Sequence, residues 1–175
     1  MENTSVKRDR DQVAEIVRDA GGTIVGRTRL QKIAYFLELT GQGSGFDFEY
    51  RYYGPYSESL YEATCVANVF GLINEEERLA NWGGRYSVYT ISRELSKNVD
   101  SERAQFVTKA AEIGAVELEL AATAAYLSAV ERCQDPWGET MKRKPEKAGD
   151  GRLDRAKEAY HLLQQLNTPK PLPKI

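Results

Sequence analysis

Between Phe46 and Tyr53 the hydrophobic period of the chain changes. Phe46, Phe48, Tyr50 and Tyr52 alternate with Asp47, Glu49, Arg51 and Tyr53, the two-residue repeat of a strand with one buried face. Helical stripes stand on both sides of it. Before it, Val13, Ile16, Val17 and Ala20 recur at helical spacing and stop at Gly21-Gly22, Thr23 to Val25 forms a strand stub, and Leu30, Ile33, Ala34 and Leu37 form a second stripe ending at Gly41. After it, Gly54-Pro55 breaks the strand and Ser57 is placed to cap a third helix. Leu60, Ala63, Ala67 and Phe70 are its expected buried stripe, with Gly71 at its end. Leu72-Ile73 starts a further strand, the acidic run Glu75-Glu76-Glu77 and the turn signal Gly83-Gly84 follow, and Tyr86 to Ile91 reads as the hairpin partner. Helix, helix, helix, hairpin is the order of a winged helix, here with one strand inserted before the third helix.

From Ser101 onward the pattern is helical. Ala104, Val107 and Ala111 mark one helix broken near Gly114, and the alanine-rich stretch Leu118 to Val130 predicts a closely packed second. Asp135-Pro136 has the form of a cap and first helical turn. Pro145 and Gly149 interrupt, Asp150 is a candidate cap, and Leu153, Ala156, Tyr160 and Leu163 define the last helix. The expected architecture is α+β and mostly helical: a winged-helix-like core over residues 1–99, a helical extension packed on it over 100–168, and a disordered tail over 169–175, where Pro169, Pro171 and Pro173 fall.

Composition narrows the function classes. In 175 residues, 24 Lys and Arg stand against 26 Asp and Glu, a formal net charge of −2 that argues against bulk electrostatic binding to nucleic acid. The first ten residues are polar and the longest largely apolar stretch, Ala121 to Leu127, is far short of a membrane span, so a cytoplasmic location is expected. Cys65 and Cys133 form no Cys-x-x-Cys pair and read as small buried apolar residues in a reducing compartment.

Arg29-Leu30-Gln31-Lys32-Ile33-Ala34-Tyr35-Phe36, the aromatic strand, and then Tyr53-Gly54-Pro55-Tyr56-Ser57 with Leu60 together resemble the core of the SocA-like, or Panacea, antitoxin domain. The likeness is closer still to the YwgA-type proteins of bacteria. It runs from about Gly22 to Ile91, with Leu30, Gln31, Lys32, Tyr35, Tyr53, Gly54 and Pro55 as its motif residues. Here the strand is rich in tyrosine where the Panacea pattern commonly carries tryptophan. The resemblance implies a bacterial or phage protein that works through protein partners, binding a toxin and neutralising it or presenting it to a protease.

Catalytic signatures are not found. His161 follows the stripe residue Tyr160 and is expected at the surface, and no Walker loop, nucleophile elbow or dinucleotide fingerprint is present, so neither enzyme activity nor a cofactor is expected. Asp47 and Glu49 share a strand face and are the candidate metal ligands of a nuclease, the least favoured alternative. A winged helix binding DNA through its third helix is the main alternative. From Ser57 to Glu77 that helix and the start of the following strand carry Glu58, Glu62, Glu75, Glu76 and Glu77 without a Lys or Arg, which disfavours it, although Arg27, Arg29, Lys32, Arg78, Arg85 and Arg93 lie nearby in sequence. The favoured function is a non-enzymatic, antitoxin-like protein-binding module. Its candidate partner-binding residues are Arg51, Tyr53, Tyr56 and Tyr61 in the tyrosine-rich span, and Lys142, Arg143 and Lys144 in the basic C-terminal stretch.

Overall fold

The computed structural model describes residues 4–92 and 101–175, with side chains from residue 8 onward in the first segment. Arg93, expected among the basic groups near the hairpin, lies outside them. The fold is α+β, with eight helices among the described residues, a three-stranded antiparallel sheet and a separate two-stranded ribbon.

The first half alternates the two element types. Helix α1 (Thr4–Asp19) leads into β1 (Thr23–Val25), α2 (Arg27–Leu39), the ribbon β2 (Glu49–Arg51) and β3 (Gly54–Tyr56), α3 (Glu58–Val69), and the long hairpin β4 (Ile73–Leu79) and β5 (Arg85–Ile91). The sheet order is β1-β5-β4, with Ile24 opposite Tyr89 and Ile73 opposite Ile91. The Ser57 side chain caps α3 by accepting from the Leu60 N–H at 3.2 Å, as its position predicts.

Cys65 and Cys133, expected to be buried, are both half-buried. Two further local expectations are corrected. The single inserted strand is a hairpin: Gly54-Pro55 does not merely end β2 but begins its partner β3, with Tyr50 opposite Pro55 and Arg51 opposite Gly54. Tyr52 and Tyr53 are therefore the turn. Tyr52 leaves the buried face that Phe46, Phe48 and Tyr50 share and is 77% exposed. Phe70 is likewise exposed, because α3 ends at Val69, and the Arg10 guanidinium covers its ring at 4.1 Å.

The C-terminal half consists of α4 (Glu102–Glu112), α5 (Ala115–Ala129), α6 (Pro136–Arg143), the single turn α7 (Pro145–Ala148) and α8 (Arg152–Gln164). Asp135 caps α6 by accepting from the Gly138 N–H. Asp150 does not cap α8; that place is taken by Gly151 in a left-handed conformation. Helix α5 is buried on all sides from Leu118 to Leu127, which explains its alanines: small side chains let α2, α6, α8 and β3 approach it together. One buried cluster joins Ile16, Phe36 and Leu60 of the first half to Phe106, Leu118 and Tyr160 of the second.

The tail, expected to be disordered, is extended and docked. Lys170 N–H donates to Thr40 O at 2.9 Å, the Tyr160 hydroxyl donates to Pro173 O at 2.7 Å, and Leu172 is buried. The buried phenol of Tyr160 needs an acceptor, and the tail supplies it.

At the ribbon turn neither tyrosine takes a positive φ; Gly54 does, at +81°. A Cβ there would also lie 2.5 Å from Thr123 Oγ1 on α5. Gly54→Val combines backbone strain with that clash and is expected to lower stability by about 3 kcal/mol in urea denaturation. An unchanged midpoint would show that the ribbon does not require this glycine.

Candidate functional site around the ribbon turn

The motif residues of α2 and of the ribbon converge, and their polar groups tie the two together. Gln31 meets the Ser57 backbone twice: its Nε2 donates to Ser57 O at 2.9 Å, and Ser57 N–H donates to its Oε1 at 2.8 Å. Lys32 Nζ donates to Pro55 O at 2.7 Å. Both side chains are buried, as are Leu30, Gly54 and Pro55. Tyr35 is buried too, edge-on to Phe48 at 5.2 Å between ring centres, and burial pushes its phenol up.

The ribbon is held from the other side by the C-terminal half. Lys144 Nζ donates to Tyr52 O at 2.7 Å and to Glu119 Oε1 at 2.8 Å, and Lys147 Nζ meets both oxygens of Glu119 at 2.7 Å. Tyr52 O within the turn and Pro55 O just beyond it thus each receive a lysine from a different half of the chain. Glu119 and Lys144 are buried. Lys144, expected on an exposed basic surface, is instead an internal strut, because the interior places a carboxylate within its reach.

Above this framework the tyrosines are presented. Tyr52 and Tyr53 pack edge to face at 4.9 Å, and the Lys147 ammonium sits 4.4 Å from the Tyr53 ring centre. Tyr53 and Tyr61 are exposed and Tyr56 is half-buried. Arg51 is exposed, stacks 4.5 Å over Tyr56 and pairs with Glu49 and Glu58. Arg143 binds Glu131 through two nitrogens, reaches Glu139 and lies 5.0 Å over Tyr50. Lys142 is exposed, 4.0 Å from Glu139. The turn borders two clefts. One of about 310 Å³ lies between α2, α3 and the ribbon and includes Tyr53, Tyr56 and Tyr61; another of about 570 Å³ includes Tyr50, Tyr52, Lys142, Arg143 and Lys144.

Asp47 and Glu49 do not assemble a metal site. Both are exposed, Glu49 is bonded to Arg51, and among the described residues no group of three potential ligands is found. His161 is exposed on α8, beside Gln165. Among the described residues no helix is long and apolar enough to cross a membrane.

The residues that sequence reasoning missed are Glu119 and Thr123; Tyr52 was placed on the buried strand face, and Lys147 falls in the basic C-terminal stretch without being singled out. Glu119 did leave a signal: it is the one charged residue within Leu118 to Leu127. A carboxylate in a wholly buried helix implies cationic partners. Compared with models of known protein families, the chain matches none, and no curated protein matches it.

Burial lowers Lys32 from an ordinary value of 10.5 to about 7, opposed by the charge of Glu119 and aided by Lys144 and Lys147. Between these values the unfolded chain binds a proton that the folded one does not, so this group makes stability rise with pH from about 7 to 10.5. Chemical denaturation at pH 6.5, 8 and 9.5 should show the wild type gaining stability relative to Lys32→Met over that span. Parallel pH curves for the two would contradict the assignment.

Proposed function

We propose that the chain is a non-enzymatic, antitoxin-like module that acts in the cytoplasm by capturing a toxin or effector, neutralising or presenting it, with the ribbon turn as the centre of its contact surface. The observation that carries this is the pairing of exposure with rigidity. Tyr52 and Tyr53 are 77% and 51% exposed, yet the backbone beneath them is held by the buried Lys32, Lys144 and Glu119. An exposed aromatic pair on a fixed backbone loses little entropy on binding, which is what an interface anchor requires. Arg51, Tyr56 and Tyr61 extend the surface on one side, and Lys142 and Arg143 flank it on the other.

The core fits a winged helix: its strands follow the order β1-β5-β4, with three helices preceding the hairpin and the ribbon inserted ahead of the third. Use of that helix on DNA has less support. Glu58 and Glu62 are exposed on α3, while Arg78 and Arg85 on the hairpin are engaged by Glu76 and Glu77. Phosphate contacts would have to break those pairs against nearby carboxylates.

The test is capture by the tagged chain from its native host, followed by expression of the recovered protein alone and together with this chain. The expected partner arrests growth alone and is tolerated in the presence of the wild type. Tyr52→Ala with Tyr53→Ala should weaken capture by about tenfold or more with unchanged circular dichroism, whereas Lys142→Ala should reduce it slightly and less at high salt. Recovery of nucleic acid with steep salt dependence, or a partner indifferent to the tyrosines, would contradict the proposal.

A further inference from the structure

Lys32 has a second neighbour besides the ribbon. It lines the cleft of about 310 Å³ between α2, α3, the ribbon and β5. Its side chain is 1% exposed, and its ammonium carries three N–H donors. Among the described residues, Pro55 O is the one hydrogen-bond acceptor it reaches. Glu119, the carboxylate of the network, is already bonded to Lys144 and Lys147. Three lysines therefore share one carboxylate, and a buried cation short of acceptors is unfavourable. An anionic oxygen brought into the cleft would relieve it.

The other walls specify what should carry that oxygen. Tyr53, Tyr56, Tyr61 and Tyr89 offer aromatic surface, and Leu30 adds an aliphatic one. Arg27 stands at the same cleft, 5.9 Å from the Tyr61 ring centre, with its Nε and Nη2 held by Glu75 and Ser87. The volume is at the low end for ligand sites, enough for a bicyclic ring with a short acid arm and too small for a dinucleotide. Rings prefer edge or offset contact with such aromatic walls, and charged donors strengthen hydrogen bonds to a carboxylate.

We propose that this cleft binds a small aromatic carboxylate, its ring among Tyr53, Tyr56 and Tyr61 and its carboxylate on Lys32 and Arg27. The site goes beyond partner capture and does not depend on it, although Tyr53 and Tyr56 belong to both. Binding favours the charged form of Lys32, which burial otherwise opposes, so it takes up protons near neutral pH.

Isothermal titration with indole-3-acetate, indole, tryptamine and the tripeptide Gly-Gly-Trp, at pH 7.5 in phosphate and in Tris, tests this. Indole-3-acetate should bind, with indole and tryptamine at least about tenfold weaker and the buffer dependence of its heat reporting proton uptake. Arg27→Met should weaken binding by about tenfold, and Lys32→Met should abolish both the binding and the uptake. If Lys32→Met does not fold, Arg27→Met and backbone chemical-shift changes confined to Tyr53, Tyr56, Tyr61 and their neighbours carry the test, since the Arg27 side chain is 56% exposed. No binding at about 1 mM, equal affinity for the three indoles, or shifts elsewhere would overturn the proposal. Tighter binding of Gly-Gly-Trp by more than about tenfold would replace a small molecule with a chain terminus.

Discussion

The buried carboxylate of Glu119 organises the ribbon and its supports. Glu119 sits on a helix whose buried residues are otherwise uncharged and mostly leucine and alanine, and its two oxygens bind Lys144 and Lys147 while its charge acts on Lys32. Replacing such a cluster with apolar side chains would not necessarily cost stability, since desolvation offsets much of the attraction. What the cluster supplies is register. Lys32 donates to Pro55 O, and Lys144 bridges Glu119 to Tyr52 O, and together these bonds fix the ribbon against α2 and α5 at once.

The exposed surface follows from this constraint. A free two-stranded ribbon is marginal in water, and this one pairs only three residues on each strand. Its turn would fluctuate if it stood alone. Pinned from beneath at both carbonyls, and brought close to α5 by the missing side chain of Gly54, it instead offers Tyr52 and Tyr53 as fixed aromatic surface. Lys147 contributes to both levels, bonded to Glu119 below and close to the Tyr53 ring above. A change in the buried charge balance should therefore be felt at the surface.

Much of the fold was legible because it is locally written. The stripes of α1 and α2, the Ser57 and Asp135 caps and the breaks at Gly114 and Pro145 each depend on neighbours a few residues away. What failed depends on distant ones. Tyr52 continues the strand alternation in sequence, but Gly54 and Pro55 pair back on Arg51 and Tyr50 and turn it outward. Pro55 lacks an N–H and so argues against a strand, yet a ribbon edge tolerates it. Lys144 belongs to a run of basic residues that reads as solvated, and only the fold brings it to Glu119, 25 positions earlier. The proline-rich tail looks disordered until Tyr160 is seen to need its carbonyl. The motif Leu30-Gln31-Lys32 with Gly54-Pro55 was visible as a pattern; that Gln31 and Lys32 bond the backbone at Ser57 and Pro55 was not.

The central claim is that the ribbon turn is as firmly held as the helical core, and amide hydrogen exchange of Ser57, whose N–H is donated to the buried Gln31 side chain, tests it most directly. If the account is right, the Ser57 amide exchanges only with global unfolding, at the same opening free energy as the amides of α5. Exchange at the rate of an exposed loop, with α5 still protected, would show that the Gln31 tie at the end of β3 opens by itself and that the ribbon is not held as firmly as the core.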